Sequence, residues 1–286
     1  MKAVGISKYG PVTTFNHERV KACSVNPIDH KVRSGTYDDA PDYYEHVPKN
    51  FHIIGFDGAG VIEQTGPDCQ LFKVGDEVSW VGATTEQGSY AEYQLVSELA
   101  WAKKPKNLDF VDTASYGLTF MTAYQSLYRR MEVKPEEQAG ILIMILYAPF
   151  NSDLLAYKHG YVYIVARTEY YTESVAKICA PFGKVCTIVQ ADVSLYGTEF
   201  MSKSLTFSWD WLGSAAYHNT GVEDYHEMLG TISRLMEDGS LFSTVGTRLR
   251  LTLEGLKEAH KSVEGSTTVG KIALGVDEPG EGEPFA

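Results

Sequence analysis

The run Ile141-Leu142-Ile143-Met144-Ile145-Leu146 contains no polar residue, so a strand made from it must be covered on both faces. Two further runs, Tyr161 to Ala166 and Lys184 to Val189, have the same texture. Between them, Ser174 to Pro181 has helical spacing, and Phe182-Gly183 follows, with the glycine expected to supply the left-handed terminator. This alternation predicts βαβ units and a parallel sheet. Further on, Tyr225 to Glu237 places Met228, Leu229, Ile232, Leu235 and Met236 on one helical face and stops before Gly239. Leu253 to Val263 repeats the pattern with Leu256, Ala259 and Val263. Gly270 to Val276 is expected to form a last strand, and Asp277 to Ala286 an acidic Gly/Pro tail without core-forming residues.

The first 125 or so residues differ. Short β-branched runs alternate with Gly, Pro and Asp, as in Gly66-Pro67-Asp68 and Gly75-Asp76, which predicts an antiparallel, barrel-like domain with few helices. Ile53 to Glu63 is a strand candidate interrupted by Gly55, Gly58 and Gly60, where missing side chains permit a bulge or close backbone packing. Val74 to Val78 is expected to turn into the next strand.

Charge and cysteines narrow the function classes. With 25 Lys and Arg against 37 Asp and Glu, the formal charge of −12 offers no basic footprint for nucleic acid or an anionic membrane. The first ten residues lack the long apolar core of a signal peptide, and no apolar run approaches the roughly 20 residues of a membrane span. Cys23, Cys69, Cys179 and Cys186 form no CxxC pair, so a cytoplasmic protein without disulfides is expected.

Several stretches together resemble the medium-chain dehydrogenase/reductase superfamily, in its zinc-free quinone-oxidoreductase and enoyl-reductase-like branch, often named zinc-type alcohol dehydrogenase-like. Val20 to Lys31, with Asn26-Pro27-Ile28-Asp29-His30-Lys31, looks like the family's NPxDxK element. Ile54 to Val61 looks like its GxDxAGVV strand, followed by Phe72 to Val78, Gly88 to Tyr93 and Leu118 to Tyr124. Phe182 to Leu212 and Gly270 to Leu274 extend the likeness. The resemblance implies α/β plus β architecture: a GroES-like β-barrel catalytic domain over residues 1–125, a truncated Rossmann-like parallel sheet domain over 126–243, and a segment, 244–286, returning to the first domain.

The zinc-dependent branch holds its metal with a Cys near the first element and a His in a GHE triplet. Here those places carry Asn26 and Phe56, neither a strong Zn²⁺ ligand, so no metal is expected. His46 and His52 are better read as loop and core-edge residues than as ligands.

A dinucleotide needs a strand, a tight glycine turn and a helix N-terminus, so that main-chain N–H groups reach the pyrophosphate. After the strand at Ile141 the sequence instead has Tyr147-Ala148-Pro149-Phe150-Asn151-Ser152-Asp153, with a donorless Pro, a bulky Phe and a like charge. Residues 147–160 leave room for one short helix, Leu154 to His159, capped by Ser152 or Asp153. An internal block of the family's sheet is therefore expected to be missing. A smaller gap falls between Pro11 and Arg19.

The resemblance implies NADP as cofactor and hydride transfer to a small carbonyl, enone or quinone. Asn26 and Lys31 are then the catalytic candidates, and Thr122, Val189, Gln190 and Lys271 the cofactor-binding ones. Each has a plainer reading. Asn26 before Pro27 is an ordinary turn pair, Lys31 a solvated charge, Thr122 a helix residue bonding back to its own turn. Arg167 at a strand end is a surface residue or a 2′-phosphate ligand. Cys23 on a strand is a core residue rather than a nucleophile, and Tyr37, Tyr43 and Tyr44 form a loop. The family's habit implies a homodimer acting on a small molecule. The alternative is a catalytically inactive remnant, or interaction protein, that keeps the GroES-like domain.

Overall fold

The computed structural model describes residues 5–8, 16–36, 48, 50–134, 140–144, 159–266 and 268–282. The chain forms two compact units, Met1–Met121 with Gly213–Ala286, and Thr122–Leu212. His46, the tyrosine loop and the turn at 147–153 lie outside the described residues, as does most of the short helix expected at Leu154.

The first unit contains β1 (Gly5–Lys8), β2 (Asn16–Val25), α1 (Pro27–Arg33), β3 (Asn50–Ile53), β4 (Asp57–Gln64), β5 (Glu77–Val81), β6 (Tyr93–Val96) and β7 (Trp101–Lys103). Then comes α2 (Phe110–Tyr124), whose last residues pass into the second unit. Among the described residues, a seven-stranded sheet is the centre of this unit. It takes β2, β4, β5, β6 and β7 together with two strands from the C-terminal stretch, β12 (Val245–Arg250) and β13 (Lys271–Gly275). Its order is β12-β13-β2-β4-β5-β7, with β6 also on β2. The ten-residue β2 organises the sheet: residues 22–25 pair with β13, residues 16–19 pair with β6 on the same edge, and the opposite edge takes β4.

Among the described residues, the barrel expected from the sequence is not closed. The sheet ends at β12 and β7, which do not meet. At the β7 end, α5 (Asp224–Glu237), which follows the short α4 (Ser214–Tyr217), takes the place of a further strand: His226 Nδ1 lies 2.7 Å from the Trp101 carbonyl, and Ser233 Oγ donates to the Lys103 carbonyl at 2.5 Å. A helix that satisfies an edge removes the need for closure.

The glycines of Ile53 to Glu63 divide it into β3 and β4 rather than bulging one strand. Gly55 between them has φ +102°, and residues 88–90 hydrogen-bond along 53–55, at 2.7 to 3.0 Å. Gly58 lies flat against the fully buried Trp80 ring, where a Cβ would approach Cζ2 to 2.5 Å. Trp80 satisfies its ring N–H on Gln94 Oε1 at 2.7 Å. Val20, Ile62, Val78, Trp101 and Leu274 complete this core, and Leu256 joins it from α6 (Leu253–Glu264).

Among the described residues, the second unit holds a four-stranded sheet of β8 (Ile141–Met144), β9 (His159–Ile164), β10 (Cys179–Thr187) and β11 (Thr206–Trp209), all parallel and neighbours in chain order. Val162 and Ile164 face α3 (Thr168–Ile178) through Tyr171 and Val175. Tyr161, Tyr163 and Cys186 face the opposite way, onto Met131 and Leu127. Two-sided coverage is what the apolar runs required.

The helix between the second and third runs lies earlier than its spacing suggested, beginning at Thr168 and giving way to strand at Cys179. Its expected terminator also differs: Phe182, at φ +63°, takes the left-handed conformation. Gly183 is demanded by space instead, since a Cβ there would lie 2.5 Å from Cys179 Sγ.

Candidate functional site

In the first unit, β2 delivers the chain to Asn26, which is extended, and Pro27 starts α1 where a missing N–H costs nothing. Asp29 Oδ2 accepts from the Asn26 N–H at 2.5 Å and so caps the helix from within. The Asn26 side chain, 1% exposed, is thereby free for other partners. Its Nδ2 donates to Asp57 Oδ2 at 3.1 Å and to Ser24 Oγ at 3.4 Å, and its Oδ1 accepts from Lys271 Nζ at 2.5 Å. Lys271 is the first residue of β13, and pairing of Ile272 with Val25 in the antiparallel ladder places it there. Asp57, at the start of β4, also accepts from Ser24 Oγ at 2.7 Å, and its carbonyl accepts from Ser89 Oγ at 2.7 Å.

Two fully buried carboxylates therefore share the neighbourhood of one ammonium. Burial, then the charge of Asp57, pushes Asp29 up to about 7, against the pull of the Asn26 N–H and Lys271. Burial lowers Lys271, while Asp57 and Asp29 hold it up. Burial, with Asp57 next, raises Cys23 far above an ordinary thiol, which makes it a core residue rather than a nucleophile. Tyr90, also buried, places its hydroxyl 3.2 Å from His260 Nε2 on α6. Burial and then the nearby Arg33 and His30 charges lower His260 to about 4, leaving a neutral imidazole at neutral pH.

Asn26 and Lys271 are thus brought together, and Asp57, Asp29, Ser24, Tyr90 and His260 are additions that sequence reasoning missed. Asp57 lies inside the GxDxAGVV element and His260 one helical turn beyond Leu256, so the available signals were a motif position and a helix face. Lys31 lies further along α1, partly buried, with its ammonium lowered by desolvation. His52 is buried, with Nε2 3.0 Å from the Glu86 carbonyl and its ring against Phe56. Among the described residues, no group of three or more His, Cys, Asp or Glu could hold a metal ion, and no helix is long and apolar enough to cross a membrane.

Thr122, Val189 and Gln190 belong to the second unit. Thr122 sits in the last turn of α2. Val189 and Gln190 follow β10 at its C-terminal end, the position expected of them, and Gln190 is exposed. The Val189 carbonyl accepts from Thr168 Oγ1 at 2.5 Å, and Thr168 and Thr187 hydroxyls meet at 2.6 Å, which fixes this strand end to the start of α3. Arg167, between β9 and α3, is left-handed at φ +50°.

The profile of the alcohol dehydrogenase GroES-like domain matches residues 19–106, and that of the zinc-binding dehydrogenase family matches residues 158–274. The chain belongs to the medium-chain dehydrogenase/reductase superfamily. A zinc-type alcohol dehydrogenase-like protein of Staphylococcus epidermidis is 27% identical over 312 positions, covering 90% of this chain and 89% of that protein. Human quinone oxidoreductase is 40% identical over 119 residues, 42% of this chain and 33% of that protein. A putative zinc-dependent alcohol dehydrogenase from Rhizobium etli superposes with a TM-score of 0.84 at 25% identity, covering 99% of this chain and 98% of that one. The Staphylococcus alignment, at 312 positions, is longer than the 286-residue chain, so it opens gaps in this member of the superfamily.

The superfamily generally binds NAD(P), and the sheet of the second unit tests the fit. A doubly wound dinucleotide sheet has strand order 3-2-1-4-5-6, and the ligand lies where the order reverses. Here β8, β9, β10 and β11 follow one another without reversal. Only residues 145–158 separate β8 from β9, about the dozen residues that one parallel crossover consumes. The order matches 1-4-5-6, with strands 2 and 3 absent among the described residues. Among the described residues, all three strands matching 4-5-6 are present, and of those matching 1-2-3 only the first is.

Proposed function

We propose that this superfamily member is a zinc-free reductase that passes hydride from a nicotinamide nucleotide to a small carbonyl compound, enone or quinone. The observation that carries the reading is the Lys271–Asn26 pair. By resemblance, Asn26 stands where the zinc branch has a cysteine ligand, and here a lysine ammonium is bonded to it at 2.5 Å. A cation in that place does the electrostatic work of a metal, stabilising negative charge on a carbonyl oxygen.

The nicotinamide, when bound, supplies the hydride. Asn26 Oδ1 and the Val25 carbonyl, at 2.5 and 3.4 Å, orient Lys271 Nζ, which in this reading donates its remaining hydrogen to the substrate oxygen. Burial lowers this amine, and Asp57 and then Asp29 oppose that lowering. Asp29, poised at about 7, is a local proton reservoir. Lys31 on α1, and Thr122, Val189 and Gln190 in the second unit, remain the candidates for contacting the nucleotide. The acting species is proposed to be a cytoplasmic homodimer.

The test is oxidation of reduced nicotinamide nucleotides, followed at 340 nm, with enones, quinones and aldehydes as acceptors. Turnover should survive chelators, and Lys271→Gln should cost about 10²–10³ in kcat, with Lys271→Arg recovering part of it. Circular dichroism separates this loss from misfolding. The second reading, an inactive remnant, is favoured by the unreversed strand order, and absence of turnover with every acceptor and nucleotide would establish it.

A further inference from the structure

We propose that the nucleotide this chain recognises is a mononucleotide: reduced nicotinamide mononucleotide should bind about as well as the full dinucleotides. The inference rests on the reductase reading above and deepens it. A doubly wound sheet is two mononucleotide-binding halves side by side, and the dinucleotide is gripped because it spans both. In the second unit, β9, β10 and β11 supply the three strands of one half, with continuous parallel pairing from Tyr161–Ile164 through Lys184–Thr187 to Thr206–Trp209. On the other side of β9 stands β8 alone, and no described strand lies beyond it.

Three features of an adenosine site are thereby lost together. The crevice that opens where crossovers diverge to opposite sides requires a reversal of strand order, and the order here runs one way. The second strand, whose end carries the residue that reads the adenosine ribose, is absent among the described residues, and only residues 145–158 lie between β8 and β9. Arg167 lies about twenty residues after Tyr147, the spacing of a ribose or 2′-phosphate ligand. Its strand, however, is β9, which pairs with β10 and belongs to the nicotinamide half. Sequence spacing thus imitates an adenosine reader in the wrong strand.

The groups that remain are those at the end of β10. Thr187, Thr168 and Val189 are mutually hydrogen-bonded and fix the strand end, and Gln190 just beyond it is exposed. A ligand held there gains nothing from an appended adenosine monophosphate.

The experiment is direct binding to the full chain, read by thermal shift and by enhancement of nicotinamide fluorescence. The ligands are NADPH, NADH and reduced nicotinamide mononucleotide, with ADP-ribose and adenosine 2′,5′-bisphosphate as competitors. The expected result is dissociation constants within about threefold of one another for the three reduced nucleotides, under 1 kcal/mol apart, and no competition by the adenosine compounds. Dinucleotide binding more than about thirtyfold tighter, over 2 kcal/mol, or displacement by either adenosine compound, overturns this inference while leaving the reductase reading intact. If none of the three reduced nucleotides binds, both fall.

Discussion

Lys271 Nζ lies 2.5 Å from Asn26 Oδ1, so the first residue of the last strand is tied to the residue that opens the first helix. The bond joins positions far apart in the chain through the β13–β2 ladder, with Asn26 buried and Lys271 half-buried. Asn26→Ala strips Asp57 of one donor and Lys271 of its acceptor, and should cost about 1–3 kcal/mol in urea unfolding. Combined with Lys271→Met, the double variant should lose less than the sum of the singles by at least about 0.5 kcal/mol. Strict additivity would mean that the two side chains do not support each other.

Acidity should act on this cluster in two opposed ways. Asp29 has a folded pKa of about 7, against about 3.9 when unfolded. Its stabilising contribution is complete below the unfolded value and disappears as pH rises through 7. His260, lowered to about 4 from about 6.5, stabilises above the unfolded value, and that contribution is lost as pH falls through 4. Urea midpoints from pH 4 to 8 should show Asp29→Asn gaining on the wild type as pH rises, and His260→Gln gaining as pH falls. Parallel curves for all three proteins would contradict the assignment.

Gly58 and Gly230 should respond oppositely to alanine. A Cβ at Gly58 would be driven into the Trp80 ring, buried and held by Gln94, at a cost of about 1–3 kcal/mol. A Cβ at Gly230, inside α5, meets nothing within 4 Å, so Gly230→Ala should stabilise by about 0.5–1 kcal/mol. Thermal denaturation of the two variants checks both signs.

Asp210, just past β11, gathers Gln125 Nε2 at 2.7 Å, Ser126 Oγ at 2.7 Å and Arg130 Nε at 3.0 Å. It fastens the segment after α2 to the end of the parallel sheet. Asp210→Ala leaves these donors without their acceptor and should cost about 2–3 kcal/mol. Limited proteolysis should then cut first near residues 125–134. Unchanged resistance to the protease would show that the packing of Met131 suffices without the carboxylate.

Local chemistry made much of this fold legible. Met228, Leu229, Ile232 and Met236 are all buried on α5, and Gly239 follows at φ +79°. The apolar runs did become parallel strands. What local pattern could not reveal was decided at long range. β12, Val245 to Arg250, has no apolar run because Arg248 points to Asp109, Asp112 and Glu278 at 2.6 to 3.0 Å. An edge strand laced with charge looks like a loop. The site was half legible for the same reason: Asn26 and Asp57 lie in recognisable elements, but their meeting with Lys271 depends on a strand register that no spacing encodes.

The pairing of β8 with β9, Ile141 to Tyr161 through Met144 to Ile164, bears on how such a chain can arise at all. In the six-stranded order 3-2-1-4-5-6 the strands that these two match, 1 and 4, are already hydrogen-bonded neighbours, so a chain lacking strands 2 and 3 keeps every rung of this pairing. Pruning from the margin inward keeps every pairing among the surviving strands and costs only the new edge strand one neighbour. A parallel sheet can in this way be shortened by one contiguous genetic event and still close up, whereas loss of any interior strand would demand that strangers learn to pair.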